Sequence, residues 1–174
     1  MPTFDESNAQ CLVYSYKDGL LSKIAHDLKH RVTRFSVRVD PQTGAVEAEI
    51  DATSLRVECV VKDGSELANG LSAEEKRKIE GQIMSDVLHA DAHPIIRFRS
   101  TRVSESEDGM RIEGSLMLND CVRPVRAFAR RLDDSYQADV TIHQPDFNIK
   151  PFSAMMGTLK IKPEVVVRLI VPAG

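Results

Sequence analysis

The feature that most constrains the fold of this chain is a strict alternation of apolar and polar residues in short segments. In residues 34–39, apolar side chains occupy every second position, at Phe35, Val37 and Val39. Successive side chains of a β-strand point to opposite faces, so a period of two predicts a strand with one buried face. A helix would scatter the same residues around its circumference.

The same period recurs along most of the chain, and turn-forming residues such as Pro41 and Gly44 separate the segments. The apolar phase slips by one residue after Thr33, which predicts a β-bulge there. Eight or nine short strands within 174 residues predict a single all-β antiparallel domain over residues 1–174, either a barrel or a sandwich.

One inserted α-helix is predicted near the middle of the chain, ending near Leu88. Ser72 and Glu75 have the spacing of a capping box, which marks a helix start. Ile79, Ile83 and Val87 follow at intervals of four, so they form one apolar face.

Charge and hydropathy exclude several classes of protein. The net charge is −3, whereas nucleic-acid binding needs a basic field, so no nucleic-acid partner is expected. No apolar run approaches the roughly 20 residues that span a bilayer, so no transmembrane segment is expected. The first residues lack the pattern of a secretory signal, so we expect a cytoplasmic protein. Its cysteines, Cys11, Cys59 and Cys121, are then expected to be reduced.

Two histidine pairs have a spacing that suggests metal binding: His26 with His30, and His89 with His93. His30 lies in an alternating segment, and residues four apart on a strand are about 13 Å apart, too far for one zinc ion. His93 precedes a proline, which disfavours a helical conformation. We therefore expect no metal, although a metal-binding protein or enzyme that uses these residues or His143 remains an alternative.

No catalytic motif stands out, so we expect no catalytic residues and a protein that is not an enzyme. The sequence contains neither a nucleophile elbow nor a glycine-rich phosphate-binding loop. Seven arginines lie on the strand faces opposite the apolar residues. We interpret them as a charged exterior of the barrel, and a surface that binds an anionic membrane or partner is the alternative. They are Arg31, Arg38, Arg97, Arg99, Arg123, Arg126 and Arg130.

The inward face contains many small residues, such as Ala48, Gly114, Ala127 and Ala138. An eight-stranded barrel has just enough interior to be filled by side chains or to hold one small ligand. The pattern alone leaves both a cavity for an elongated apolar molecule and a packed core open.

An ordered set of segments resembles the YceI-like family. The segments are 26–40, 46–57, His93–Ser100, Gly114–Leu118, Arg123–Val125 and Asp146–Ile149. The resemblance covers nearly the whole chain. It departs at residues 119–122, Asn-Asp-Cys-Val, where the family usually has a His-Gly-x-Thr turn.

This resemblance implies an extended eight-stranded antiparallel β-barrel, lipocalin-like, that holds a polyisoprenoid or similar lipid and often forms a homodimer. The resemblance favours a cavity over a packed core. It also suggests that the protein carries or stores the lipid without catalysis. An isoprenoid quinone is one candidate for this lipid. No other cofactor is expected. A packed barrel acting as a stress-associated or interaction module is the remaining alternative. The inward residues expected to contact the ligand are Val32, Phe35, Val37, Ile50, Leu55, Ile96, Phe98, Leu116, Val140, Ile142 and Phe147.

Overall fold

The computed structural model describes residues 1–19 and 25–174. These residues form fourteen strands and one α-helix, α1, at Ala73–Gln82. The strands are β1 Thr3–Asp5, β2 Gln10–Ser15, β3 Asp27–Val32, β4 Phe35–Val39, β5 Val46–Asp51, β6 Leu55–Lys62, β7 Ser65–Leu67, β8 Ile95–Ser106, β9 Gly109–Leu118, β10 Cys121–Leu132, β11 Ser135–His143, β12 Ser153–Ala154, β13 Leu159–Lys160 and β14 Glu164–Pro172. The prediction of an all-β domain with one inserted helix is confirmed.

Twelve of these strands form one curled antiparallel sheet in the order β1-β4-β5-β8-β9-β10-β11-β14-β2-β3-β6-β7. β12 and β13 form a separate small hairpin. The hydrogen-bonded order has two ends, β1 and β7, so the structure is a curled half-barrel. The prediction of a closed eight-stranded barrel is therefore wrong both in the number of strands and in closure.

The predicted barrel and the observed half-barrel differ because two bends divide two long alternating segments of the sequence. The first segment bends between β3 and β4, and the second bends at a 3₁₀ turn, Ala52–Ser54, between β5 and β6. As a result, β3 pairs with β6 near one end of the order, whereas β4 pairs with β5 near the other. Backbone bonds join the two bends, from Thr33 N to Ser54 O at 3.0 Å and from Asp51 N to Arg34 O at 3.1 Å.

The irregularity predicted at Thr33 is thus a bend between strands. A register shift does occur nearby, between Lys29 and His30 on β3. Lys29 pairs with Cys59 and His30 pairs with Val57, so Glu58 is the extra residue on β6. Such a bulge increases the local twist of a sheet, which helps the sheet to curl.

Helix α1 begins where the sequence predicts. Ser72 Oγ accepts a bond from Glu75 N at 3.1 Å, and Glu75 Oε2 accepts one from Ser72 N at 2.7 Å, which completes the capping box. The α-helix ends at Gln82 and continues as a π-helical turn, Ile83–Val87. No residue of α1 is buried, so its apolar face is only partly covered.

Two clusters of buried side chains form most of the core. One consists of Cys11, Val32, Phe35 and Val37, and the other of Leu116, Ile142, Phe147 and Ile149. A smaller cluster joins the sheet to the helical segment, because Leu71 and Ile79 pack against Leu28, Val57 and Val60. In the part of the chain that the structure describes, no helix has the length and apolarity needed to span a bilayer.

Candidate functional site

A cavity of about 360 Å³ lies inside the curled sheet. All strands of the sheet except the edge strands β1 and β7 contribute side chains to its wall. The volume falls in the usual range for small-molecule sites, about 300–1,000 Å³. The interior of the sheet is therefore not filled by its own side chains.

Strand alternation places the wall residues. On β11, Ala138, Val140 and Ile142 line the cavity, whereas Thr141 between them is exposed. The neighbouring strand β14 contributes Val167 in the same way, opposite Val140 in the register. One face of each strand thus forms the wall and the other faces outward, as the period of two predicts.

Most of the residues predicted to contact a ligand meet in this wall. Those that line it are Val32, Phe35, Val37, Ile50, Leu55, Ile96, Phe98, Leu116, Val140 and Ile142. Their contact with a ligand stays a prediction.

Phe147 does not line the cavity. It lies in a 3₁₀ turn, Gln144–Phe147, where the alternation of β11 no longer applies. Its ring is 2% exposed and packs with Leu116, Ile142 and Ile149. Phe147 therefore belongs to the core behind the wall.

Sequence reasoning missed two parts of the wall outside the sheet. The helical segment contributes Ile79, Gln82, Ile83, Val87 and Leu88, and the segment after β11 contributes Ile149, Phe152, Leu159 and Ile161. The apolar face of the helix was visible as a spacing of four, but the spacing does not show that the face covers a cavity. The second segment has no periodic pattern that would have revealed it.

Six of the described residues that line the wall are polar: Ser15, His26, His30, Asp51, Gln82 and Gln144. Ser15 and His30 form a pair, because Ser15 Oγ lies 2.9 Å from His30 Nε2. They are diagonal neighbours on β2 and β3, where Ser15 pairs with Leu28 and Val13 with His30. Diagonal neighbours share one face of a sheet, so this bond forms on the cavity side.

Burial keeps the two titratable groups deepest in the wall uncharged. His30 is 2% exposed, and burial lowers the pKa of its imidazole to about 4. Burial also raises the pKa of the Cys11 thiol to about 12. A buried site disfavours the charged form of each group, so both are neutral near pH 7.

Among the described residues of the wall, Asp51 is the one carboxylate, and its partners lie in the two bends. It accepts bonds from Thr53 N at 2.8 Å and from Arg34 Nε at 2.9 Å. Burial works against ionisation of this group, but the bonds from Thr53 and Arg34 outweigh it, so the pKa of Asp51 is lowered. Asp51 is therefore charged, and it stabilises the bend.

The metal-binding alternative has no support in the described residues, among which no three His, Cys, Asp or Glu residues are placed to hold an ion. His30 Nε2 is bonded to Ser15. His93 Nδ1 lies 2.8 Å from Asp120, and His143 Nδ1 lies 3.1 Å from Asp146. Cys11, Cys59 and Cys121 form no disulfide with one another.

The outward arginines mostly face glutamates on adjacent strands. The ion pairs are Arg31–Glu58, Arg38–Glu47, Arg97–Glu49, Arg99–Glu47 and Arg126–Glu113. Exposed pairs of this kind contribute little to stability, about 0–1 kcal/mol each. They offset much of the positive charge, which agrees with a charged exterior and weakens the hypothesis of a surface for anions.

Comparison of the sequence with known protein families identifies the family of this chain. A model of the YceI-like domain matches residues 5–173. A comparison with curated proteins gives no match.

Solved structures share the fold. BcnA of Burkholderia cenocepacia is 15% identical, with a TM-score of 0.65 over 98% of this chain and 99% of that protein. A polyisoprenoid binding domain from Saccharophagus degradans, implicated in plant cell wall breakdown, is 12% identical, with a TM-score of 0.57 over 99% and 97%. The YceI protein of Campylobacter jejuni is 12% identical, with a TM-score of 0.58 over 90% and 92%. At these identities the likeness establishes the fold.

Proposed function

Because this chain belongs to the YceI-like domain family, we propose that it binds a long-chain lipid of the polyisoprenoid class in its cavity and catalyses no reaction on it. The observation that carries the proposal is the composition of the wall. Of the 39 described residues that line it, 33 are apolar, and most of these come from ten strands, the helical segment and the segment after β11. The Saccharophagus degradans neighbour, a polyisoprenoid binding domain, supports the same class of ligand.

The physical basis of binding is the removal of apolar surface from water. Each buried CH₂ group contributes roughly 0.8 kcal/mol, before the entropic cost of ordering a flexible chain. A wall of valine, isoleucine and leucine offers no directional bonds along its length, so it selects for an apolar chain and not for a particular sequence of polar groups. Carriage or storage of a lipid requires only this kind of contact.

The alternatives fit the structure less well. A packed interaction module requires a filled interior, and the cavity of about 360 Å³ contradicts that requirement. A metal-dependent function requires converging donors, which the described residues do not provide.

Native mass spectrometry of the purified protein, followed by solvent extraction, tests the proposal. We expect an added mass that extraction releases and identifies as an isoprenoid or similar chain, or binding of a polyprenol or isoprenoid quinone by the extracted protein. A protein that carries no lipid, and that binds none of these compounds after extraction, contradicts the proposal.

The homodimer implied by the resemblance stays a prediction, as does a cytoplasmic location. Sedimentation velocity distinguishes a dimer from the 19.4 kDa chain. Cell fractionation tests the location.

A further inference from the structure

Two adjacent methionines form an apolar tip at the turn between β12 and β13. Met155 is 61% exposed and Met156 is fully exposed, and both lie in the 3₁₀ turn Met155–Gly157. Single exposed apolar residues are common on protein surfaces, but two large neighbours at one turn make a contiguous apolar surface in contact with water. We call these two residues the methionine tip.

The conformation of this turn does not explain why methionine is present. Met155 and Met156 have φ angles of 55° and 58°, in the left-handed region, where a residue with a large side chain is strained. Glycine or asparagine would form such a turn at a lower cost in free energy. The strain therefore favours a role for the two side chains in contact with something outside the fold.

The methionine tip belongs to a hairpin segment, residues 150–162, that also forms part of the cavity wall. Leu159 and Ile161 of this segment line the cavity. Lys160 and Lys162 alternate with them along the chain, and both lysines are exposed. The segment is thus apolar toward the cavity and basic on its outer side, so anything that the tip contacts lies beside the cavity.

The hairpin segment carries a local positive charge in a chain whose net charge is −3. Its charged residues are Lys150, Lys160 and Lys162, and all three are exposed. The Lys160 side chain runs beside the turn, since a Cβ atom at Gly157 would lie 4.0 Å from its Cε. The ion pairs of the described residues involve other side chains, and residues 20–24 contain no carboxylate that could pair with a lysine.

Carboxylates that border the segment do not cancel this charge. Asp18 N donates a hydrogen bond to Lys160 O at 2.8 Å, which places Asp18 beside β13. Lys17, the residue before it, bridges to the same segment, so its positive charge offsets that of Asp18. Glu164, just past the segment, faces His143 at 3.9 Å. The surface around the methionine tip therefore stays basic.

We propose that the hairpin segment docks the protein on a lipid bilayer that contains anionic lipids. The methionine tip enters the boundary between head groups and acyl chains, and the three lysines contact the lipid phosphates. This inference rests on the proposed lipid-binding function and names the source of the lipid. A polyisoprenoid is nearly insoluble in water, so it has to pass between a membrane and the cavity.

Neither contribution to docking is large by itself. Two methionine side chains remove little apolar surface from water, and salt screens the attraction of three lysines to an anionic surface. Attachment through two weak signals is reversible, which suits a carrier that loads a lipid and then leaves the membrane. Docking should therefore need both the methionine tip and the lysines.

Flotation with lipid vesicles tests the inference. The vesicles consist of phosphatidylcholine alone, or of phosphatidylcholine and phosphatidylglycerol in equal parts. The tip variant is Met155→Ser with Met156→Ser, and the lysine variant is Lys160→Gln with Lys162→Gln. All four positions are exposed, so both variants should fold, and urea unfolding verifies this.

Matched control variants change the same kinds of side chain at the far end of the sheet. They are Leu132→Ser, at an exposed apolar position, and Arg130→Gln with Arg131→Gln, at two exposed cations. These residues lie next to the turn between β10 and β11. Lys162 lies beyond the other end of β11, where its carbonyl accepts a bond from Gln144 Nε2 at 3.2 Å. The nine-residue strand β11 separates the two sites by about 26 Å.

We expect the wild type to bind the mixed vesicles about tenfold more tightly than phosphatidylcholine alone, and to lose this preference at high salt. The tip variant and the lysine variant should each bind the mixed vesicles about tenfold more weakly than the wild type. The control variants should change the affinity by less than about twofold, because their side chains lie away from the docking surface.

Other results overturn the inference in distinguishable ways. If the wild type binds neither kind of vesicle, or if the controls weaken binding as much as the tip and lysine variants, the segment does not dock the protein. Lipid binding in the cavity, measured by native mass spectrometry, then stands or fails separately. Equal binding to both kinds of vesicle also contradicts the inference, because the lysines then contribute nothing. If docking depends on the segment but the protein neither carries nor binds a lipid, the docking surface stands and the proposed function fails.

A second measurement uses the wild-type protein. With ¹³C-methyl methionine, nitroxide-labelled lipid in small bicelles of the mixed composition should broaden the resonances of Met155 and Met156 and leave Met110 unaffected. Met110 lies on β9 opposite Ala129, near the far end of the sheet. Equal broadening of all three methyl resonances, or none, contradicts insertion of the methionine tip.

Discussion

The ring of Phe98 lies directly against the backbone of Gly114 on the neighbouring strand. A Cβ atom at position 114 would lie 2.5 Å from Cε2 and Cζ of that ring, and also 2.5 Å from the carbonyl oxygen of Arg99. Real Cβ atoms do not approach other atoms so closely, so the side chain of Phe98 occupies the space that any other residue at position 114 would need. Phe98 thereby contacts β9 at Gly114 while it lines the cavity.

We predict that Gly114→Ala destabilises the protein by about 1–3 kcal/mol, because the added methyl group overpacks the wall. In the Phe98→Ala background the cost of Gly114→Ala should be smaller but still present, because the Arg99 carbonyl remains. Urea unfolding of the four proteins measures both values in one double-mutant cycle. Additive effects of the two substitutions would show that the ring does not cause the penalty.

A second prediction concerns pH. The pKa of His30 is about 4 in the folded protein, against about 6.5 for an unperturbed histidine. Between these values the unfolded chain binds a proton that the folded chain does not, so the free energy of unfolding decreases as pH falls from 6.5 to 4. The loss of stability is absent above pH 6.5 and reaches its full value, about 3 kcal/mol, near pH 4, below which this group adds no further dependence on pH.

Urea unfolding of the wild type and His30→Leu across pH 4–7 isolates this contribution. The difference between the two proteins should decrease as the pH falls through the window. A difference that is constant with pH would mean that His30 is not buried as a neutral ring.

Filling the cavity should remove lipid binding without unfolding the protein. Ala138 lines the cavity on β11, and Thr141 on the same strand is exposed. Ala138→Phe places an aromatic ring in space that the lipid would use, so we expect at least a tenfold loss of affinity for a polyisoprenoid. Thr141→Phe adds a ring of the same size on the outer face and should retain full affinity. Lipid titration measures both affinities. If the two variants bind the polyisoprenoid equally tightly, the lipid does not bind in the cavity.

The helix that covers part of the cavity should influence exchange of the lipid. Ser72→Ala removes the N-cap of α1, at a cost of about 1 kcal/mol, and none of the ten residues of the helix is buried to resist fraying. If local opening of the helix admits the lipid, release should accelerate by up to about fivefold. Lys78→Ala, at an exposed position on the same helix, serves as the control. Stopped-flow transfer of a fluorescent lipid to vesicles measures the rate, and unchanged release in Ser72→Ala would exclude this route.

The cysteines should differ in reactivity. Burial raises the pKa of the Cys11 thiol to about 12 and also raises the pKa of Cys59, and the two side chains are 2% and 5% exposed. Cys121 is only partly buried. At about pH 8, Ellman's reagent should modify Cys121 rapidly and the other two thiols only after unfolding. Rapid reaction that persists in Cys121→Ser would show that the sheet opens readily at Cys11 or Cys59.

Local sequence determined the elements of this protein and the face of each strand. Alternation placed Ile96 and Phe98 on the cavity side, because the side-chain period of a strand holds wherever the strand is regular. The capping box was predicted equally well, since Ser72 and Glu75 interact within one turn of helix. The order of segments pointed to the family, and the family match confirms that membership.

Tertiary structure alone decided how the strands are joined and what the wall contains. The bends at Thr33–Arg34 and Ala52–Ser54 open the predicted barrel, because their effect depends on bonds between segments that are about 20 residues apart in sequence. The contact of Ser15 with His30 arises in the same way, from the register of β2 against β3. The spacing of His26 and His30 suggested a metal pair, and the strand pattern already argued against it. The register places His30 in a largely apolar wall, where burial lowers the pKa of its imidazole to about 4 and keeps the ring neutral near pH 7.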